Sequence, residues 1–393
     1  MVLRRITDRN IWVIYTAIFL LGMAYGVSIA VLAIHLEANH IPKVAMGGLA
    51  AAFATGIVVL ALPSGTLVQR FGAKRTLLVA LLGYAACVSA FPFLKTLTAL
   101  SVARFFDGSF SVAVWVAAET ALLSRSDAAN KGVVMSLYAM SIALGYVFGP
   151  ILATFVMPAA GTGGTFVVAG VLATVAALVV LTQLAPGPTV AEGKAQHEGL
   201  PRLPARRLVW RTKTSCFGTF SYGYFQASVV LFLPLYLIEA KGIPESRTIL
   251  ITAFFAAGMI LSSTIVSRLG DRHGHLLVMR ILAAIGGTMV ASFVLLPSFA
   301  TMCAAVFVAG STLAAISPVS LALQGVIVPP QDLGRANAIY NAAYAAGMLL
   351  GPPISSVLFT KLGGGPMLIH LALMWAAFVV FATVFAKDDP RAR

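Results

Sequence analysis

Along the 393 residues the apolar positions come in long unbroken runs, not at alternate positions. An α-helix needs about 20 consecutive apolar residues to cross the hydrocarbon of a bilayer. A membrane barrel instead alternates polar and apolar side chains along each strand. Twelve such runs are read at roughly 11–35, 44–64, 76–94, 97–123, 132–157, 163–184, 213–238, 248–267, 275–296, 299–327, 334–359 and 365–386. Short polar segments separate them. Two of these, GTLVQRFGAKR at 65–75 and SRLGDRHGHLL at 267–277, are basic and carry glycine. The pattern predicts an all-α polytopic membrane protein.

Those two segments belong to an internal repeat. At one constant, ungapped offset Glu37 meets Glu239, Ile41-Pro42 meets Ile243-Pro244, and Phe53 and Gly56 meet Phe255 and Gly258. Arg70 and Gly72 meet Arg272 and Gly274, and Gly108 meets Gly310. Gly132, Tyr138, Gly145 and Gly149-Pro150 meet Gly334, Tyr340, Gly347 and Gly351-Pro352. Matched Gly, Pro, Glu and Arg are harder to obtain by chance than matched Ala or Leu. Six runs per copy is an even number, so the copies are parallel repeats related by an axis along the membrane normal. The expected organisation is a six-helix bundle over 1–184, a linker over 185–212 rich in Pro, Gly and charge, and a second six-helix bundle over 213–393.

Composition narrows the class further. Only 10% of residues are charged, against about 25% in a soluble domain. The net charge of +14 points to topology, not to nucleic acid. Of the 27 Lys and Arg residues, Lys43, Lys95, Lys241, Arg247 and Lys361 fall on one side and Arg104 lies within a run; the others fall on, or at the edge of, the opposite side. Lys/Arg-rich short loops stay cytoplasmic, so both termini are expected inside a cell (inner) membrane. The basic end of the linker is expected to favour anionic headgroups. The first run is too long for a cleavable signal and reads as a signal anchor. Cys87, Cys216 and Cys303 stand within apolar runs at no metal-like spacing. They read as small core residues, with no disulfide framework and no metal. His35, His40 and His370 read as interfacial or packing residues. No cofactor is expected, no Walker loop is present, and no catalytic constellation points to an enzyme.

Two six-helix halves, each with a basic glycine-bearing loop after its second helix, resemble the major facilitator superfamily of transporters. The family loop reads Gly, three residues, Asp, a basic residue, any, Gly, any, two basic residues. Here the first copy has Gly65, Gln69, Arg70, Gly72, Lys74 and Arg75, with Gln69 replacing the acid. The second keeps Asp271, Arg272 and Gly274 but has Ser267 for the first glycine. Glycines let backbone turn sharply, and arginines offer fixed donors to helix-end carbonyls or carboxylates. The resemblance implies cytoplasmic latches that close when the binding cavity faces outward, with Glu119 the candidate partner of Arg70 or Arg75. The alternative is a plain basic turn.

The fourth run holds the most telling charges. A charge near the bilayer centre costs roughly 2.5–3.5 kcal/mol on the insertion scale. At 100° per residue Arg104, Asp107, Gly108, Ser111, Trp115 and Glu119 share one stripe, which must face protein or water. Arg104 and Asp107 are three apart and can pair. An Asp107 released from Arg104 would take up a proton; the alternative is a static pair that pins the helix. Superfamily members often carry Arg, two residues, a polar residue and Gly here, which Arg104, Asp107 and Gly108 match.

Gly145, Gly149 and Pro150, and their counterparts Gly347, Gly351 and Pro352, read as close helix packing followed by a bend. They resemble the core of a longer glycine pattern in the exporter branch, with Ser136 and Ala153-Thr154 at its altered flanks. Tyr222 and Gln226, beside Phe225, share a face of the seventh run. Asn337, Tyr340, Asn341 and Tyr344 share a face of the eleventh, and Tyr25 sits between Gly22 and Gly26 in the first. Rings with a few amides suit an amphipathic organic solute. The expected function is proton-coupled export of such solutes by a monomeric secondary transporter, resembling the drug:proton antiporters. A proton symporter importing an organic anion is the alternative within that class. A transporter-like receptor or assembly factor that moves nothing is the alternative outside it.

Overall fold

The structure is a computed structural model that describes residues 8–125, 131–185, 203–329 and 332–389. The chain divides into two compact units, Met1–Ala195 and Gln196–Arg393. The first contains α1 (Arg9–Ala38), α2 (Lys43–Phe71), α3 (Ala73–Ala90), α4 (Leu97–Ser124) and α5 (Lys131–Gln183). The second contains α6 (Ala205–Lys241), α7 (Glu245–Thr248), α8 (Ile251–His273), α9 (His275–Ser292), α10 (Phe299–Ile327), α11 (Leu333–Leu362) and α12 (Gly364–Val384). Among the described residues, eleven helical stretches are long and apolar enough to cross a bilayer. One of them is double: α5 breaks at Gly161, whose φ of 68° and ψ of −179° suit glycine alone. Its two limbs carry the fifth and sixth crossings, which gives twelve. α6 starts at Ala205, inside the stretch expected to be linker; residues 186–202 of that stretch lie outside the described residues.

Large apolar side chains such as Phe155, Leu261 and Val380 are exposed on the helices. In water they would destabilise the fold; in lipid they are solvated. With lipid as the solvent, helices gain little from hydrophobic sorting and associate through close backbone packing at small residues. The repeated glycines mark those contacts. In the first unit α2 packs on α4 and α1 on α5. A Cβ on Gly56 would run into the Phe105 carbonyl, and one on Gly108 into the Phe53 carbonyl. In the second unit α8 packs on α10 and α6 on α11. There Gly258 meets the Phe307 carbonyl and Gly310 the Phe255 carbonyl in the same way. Gly145 and Gly149 lie on the Gly22–Val27 segment of α1, and Gly347 and Gly351 on the Phe220–Tyr224 segment of α6. These repeated helix glycines are thus places at which two helices touch backbone to backbone.

The loops after α2 and α8 turn on Gly72 (φ 83°) and Gly274 (φ 94°), a conformation that strains a side-chain-bearing residue. Gly65 makes no turn: it lies inside α2, and nothing stands within 4 Å of where its Cβ would be.

At one end of the first unit a polar clasp ties three helix termini. Asp8 caps α1 by accepting from the Asn10 backbone and side-chain amides at 2.8 Å, and it pairs with Arg125 at 3.5 Å. Arg125 donates to the Ala185 carbonyl at 2.6 Å, and Asn10 accepts from the Ala185 amide at 2.8 Å. Burial pushes the Asp8 carboxyl up, but the bonds from Asn10 and the Arg125 charge outweigh it and hold the group below its ordinary value. Asp8→Ala should therefore cost about 1 kcal/mol of stability, the usual value of an N-cap. For a carboxylate whose folded pKa is depressed, the contribution is complete above the unfolded value near 4 and is lost as pH falls through the folded value. Thermal melts of wild type and Asp8→Ala should differ at neutral pH and converge in acid.

Candidate functional site

α4 begins at Thr96, whose hydroxyl accepts from the Ala99 amide at 3.2 Å, as Ser298 does for α10 from Thr301 at 3.3 Å. Gly108 and Ser109 seat α4 on α2: a Cβ on Gly108 would meet the Phe53 carbonyl, and Ser109 Oγ donates to the Gly56 carbonyl at 3.3 Å. One turn earlier, Arg104 and Asp107 form the expected ion pair. Ser111 Oγ donates to Asp107 Oδ1 at 3.5 Å, and the Arg104 guanidinium stands 4.4 Å from the Phe53 ring centroid. Asp107 is buried. A charge pair taken out of water must be compensated locally, and here the compensation comes from the partner charge, one hydroxyl and one ring face. Among the described residues Arg104 Nε is buried without a partner. Beside the pair lies a cavity of about 20 Å³ lined by Ser28, Cys87, Phe91, Arg104, Asp107 and Phe166 among others. That is room for a water molecule.

Tyr25 joins this cluster. Its ring is edge-on to Tyr84 at 4.9 Å and to Trp115 at 6.4 Å, and stacks on Tyr146 at 6.0 Å. Its hydroxyl lies beside Ser111, and among the described residues the buried Trp115 indole N–H has no hydrogen-bond partner. Ser28 Oγ and Tyr84 Oη stand 3.4 Å apart. Arg104, Asp107, Ser111 and Tyr25 are therefore brought together. Tyr84, Tyr146 and Phe53 complete the group unannounced, since a ring at helical spacing in an apolar run has the same signature as ordinary core.

In the second unit Tyr222, Gln226 and Tyr344 also come together. Tyr344 Oη donates to Gln226 Oε1 at 2.7 Å, and the Tyr222 and Tyr344 rings stack at 6.1 Å. Asn341 is exposed on α11 one turn away, while the Asn337 side chain lies outside the described residues. Tyr340 instead bridges α11 to α10, donating to the Ser317 carbonyl at 2.7 Å, and Phe225 is buried against Phe255 and Trp375. His35 Nδ1 stands 2.8 Å from Thr162 Oγ1, and His370 Nε2 stands 2.8 Å from Tyr224 Oη; both bridge helices.

Among the described residues no ion pair joins the latch residues. Arg70, Arg75 and Arg272 are exposed, and Arg70 lies over the neighbouring Phe71 ring at 5.5 Å. Among the described residues Glu119 has no ion pair with Arg70 or Arg75. The side chains of Gln69, Ser267 and Asp271 lie outside the described residues. The polar ties that do close the loops were not anticipated. Lys74 donates to the Leu181 carbonyl at 3.0 Å, and the Leu276 amide donates to Asp389 at 2.9 Å. Lys74 and Leu276 occupy equivalent places in the two copies. Lys213 pairs with Asp388 and lies over the Trp210 and Phe385 rings.

Twelve crossings in two repeated bundles, with an ion pair held inside one of them, define a polytopic membrane protein with a charged site within its span. The sequence profile of the Major Facilitator Superfamily matches residues 14–244 and again 215–393, and the chain belongs to that superfamily. Its relatives include an uncharacterized MFS-type transporter of Enterobacter sp. (strain 638), 24% identical over 383 residues and covering 98% of this chain and 97% of the relative. Another is YcaD of Escherichia fergusonii, an uncharacterized MFS-type transporter 24% identical over 93% of both chains. Among solved structures, the nucleoside transporter NupG superposes with a TM-score of 0.80 at 14% identity, over 97% of this chain and 100% of that one. A bacterial homolog of the human lysosomal transporter Spinster superposes with a TM-score of 0.74 at 13% identity, over 97% of this chain and 96% of that one. At such identities these likenesses concern the fold alone.

Proposed function

We propose that this superfamily member is a secondary active transporter that exports small amphipathic organic compounds in exchange for protons, working by alternating access. The observation that carries this reading is the Arg104–Asp107 pair: a buried carboxylate held by one arginine and one serine inside a crossing. If Arg104 leaves, Asp107 is a bare charge in a low-dielectric bundle and takes up a proton; if Arg104 returns, the proton is released. The Tyr222–Gln226–Tyr344 group offers stacking and hydrogen bonding without charge, which suits an amphipathic solute. The basic excess supports cytoplasmic termini, residence in the inner membrane and contact with anionic headgroups. The repeated basic turns at Gly72 and Gly274 support a gating role for Arg70, Arg75 and Arg272. The unpartnered Arg104 Nε favours a second reading, a proton symporter that imports an organic anion.

Purified protein in liposomes with an imposed pH gradient decides between them. A panel of fluorescent amphiphiles and organic anions should show solute moving against the proton flow. Co-movement of an anion with protons would establish the second reading. Absence of counterflow for every solute would leave a non-transporting protein.

A further inference from the structure

The charges inside α4 do not balance. One arginine faces two acids, and Asp107 takes the arginine. Glu119 is left half-buried, and among the described residues neither a hydrogen bond nor an ion pair satisfies it. A carboxylate in that state attracts any cation that can reach it. Its surroundings determine which kind. Trp115 is one helical turn away on the same stripe, partly exposed, with its N–H unpartnered. Beyond it stand Tyr25 and Tyr146, at 6.4 Å from the Trp115 ring and 6.0 Å from the Tyr25 ring respectively. Tyr138, two turns before Tyr146 on α5, lies within electrostatic reach of Glu119.

We infer that Glu119, with Trp115, Tyr25, Tyr138 and Tyr146, forms a binding site for organic cations on the amino-terminal bundle. This rests on the transporter reading above and deepens it by giving the solute a sign of charge. The negative faces of aromatic rings attract cations and repel anions, so the rings and the carboxylate select in the same direction. A small inorganic cation would use the carboxylate but gain little from four rings. A bulky ammonium or phosphonium ion uses both. The indole N–H, unpartnered among the described residues, remains for an acceptor atom of the same solute.

The test is equilibrium binding to the purified full-length protein of radiolabelled tetraphenylphosphonium and, separately, of tetraphenylborate, which has the same shape and the opposite charge. Wild type should bind the phosphonium saturably and the borate at least about tenfold more weakly. Glu119→Gln should weaken phosphonium binding about tenfold or more, and Glu119→Asp should retain most of it. Should Glu119→Gln fail to give folded protein, Trp115→Leu serves in its place, with an expected loss of several-fold. Equal binding of the two ions, undiminished phosphonium binding by Glu119→Gln, or no phosphonium binding by wild type would each overturn the inference. Any of these alongside intact proton-driven flux removes this site alone. Intact phosphonium binding without proton-driven flux removes the coupling reading and leaves the site.

Discussion

Asp107→Asn is expected to abolish pH-driven solute flux, by about 100-fold or more, the scale of losing a positioned proton carrier. Solute counterflow at equal pH should persist. Asparagine fills the same volume and can still accept from Ser111 and Arg104, so the shape of the cluster is kept and only the exchangeable proton is removed. The substitution has a cost that must be measured with it. It leaves Arg104 without its counter-charge, and breaking a buried pair on one side typically costs about 3–5 kcal/mol. A paired substitution, Arg104→Gln with Asp107→Asn, restores neutrality and should recover much of the thermal stability without recovering coupling. If either variant folds and still drives solute with a pH gradient at the wild-type rate, Asp107 is not the proton carrier. The Arg104–Asp107 pair is then a structural pin between α4 and the Phe53 ring of α2.

What could be read from the sequence and what could not divides along a physical line. Glycines that meet a neighbouring backbone, such as Gly56, Gly108, Gly258 and Gly310, announce themselves because only one residue type fits, so the two copies show the same letter. The Arg104–Asp107 pair is likewise local, three residues apart on one helix. The partners that no spacing reveals are backbone atoms and rings. The Ala185 and Leu181 carbonyls that bind Arg125 and Lys74 belong to positions where any residue would do. Tyr84 and Tyr146 look like core until α1, α3 and α5 bring them to Tyr25. Asp8 was not singled out in the sequence: its pairing with Arg125 depends on where α4 ends. Glu119 shows the converse. Its place near the same end of the bundle as Arg70 and Arg75 made a pairing reasonable. Arg70 and Arg75 are exposed instead, and among the described residues neither pairs with the acid.

The second large effect concerns the glycine crossings. Gly108→Leu is expected to prevent folding, giving no monodisperse protein on size exclusion. Gly108→Ala should fold with a clearly lowered melting temperature. The methyl group of alanine would press on the Phe53 carbonyl of α2, and a carbonyl within a helix has no rotamer by which to yield. Overpacking of this kind costs about 1–3 kcal/mol, occasionally more. The loss must also exceed a gain, because alanine is better than glycine in a helix interior by about 1 kcal/mol. Gly48 isolates that gain: it lies within α2, exposed, with nothing within 4 Å of where a Cβ would be. Gly48→Ala should therefore hold or raise the melting temperature while Gly108→Ala lowers it. Gly310→Ala, pressing on the Phe255 carbonyl in the second unit, should behave as Gly108→Ala does, since the two sites are the same contact in the two copies. Gly108→Ala and Gly310→Ala melting no lower than Gly48→Ala would mean that these helices do not touch backbone to backbone. The repeated glycines would then need another cause.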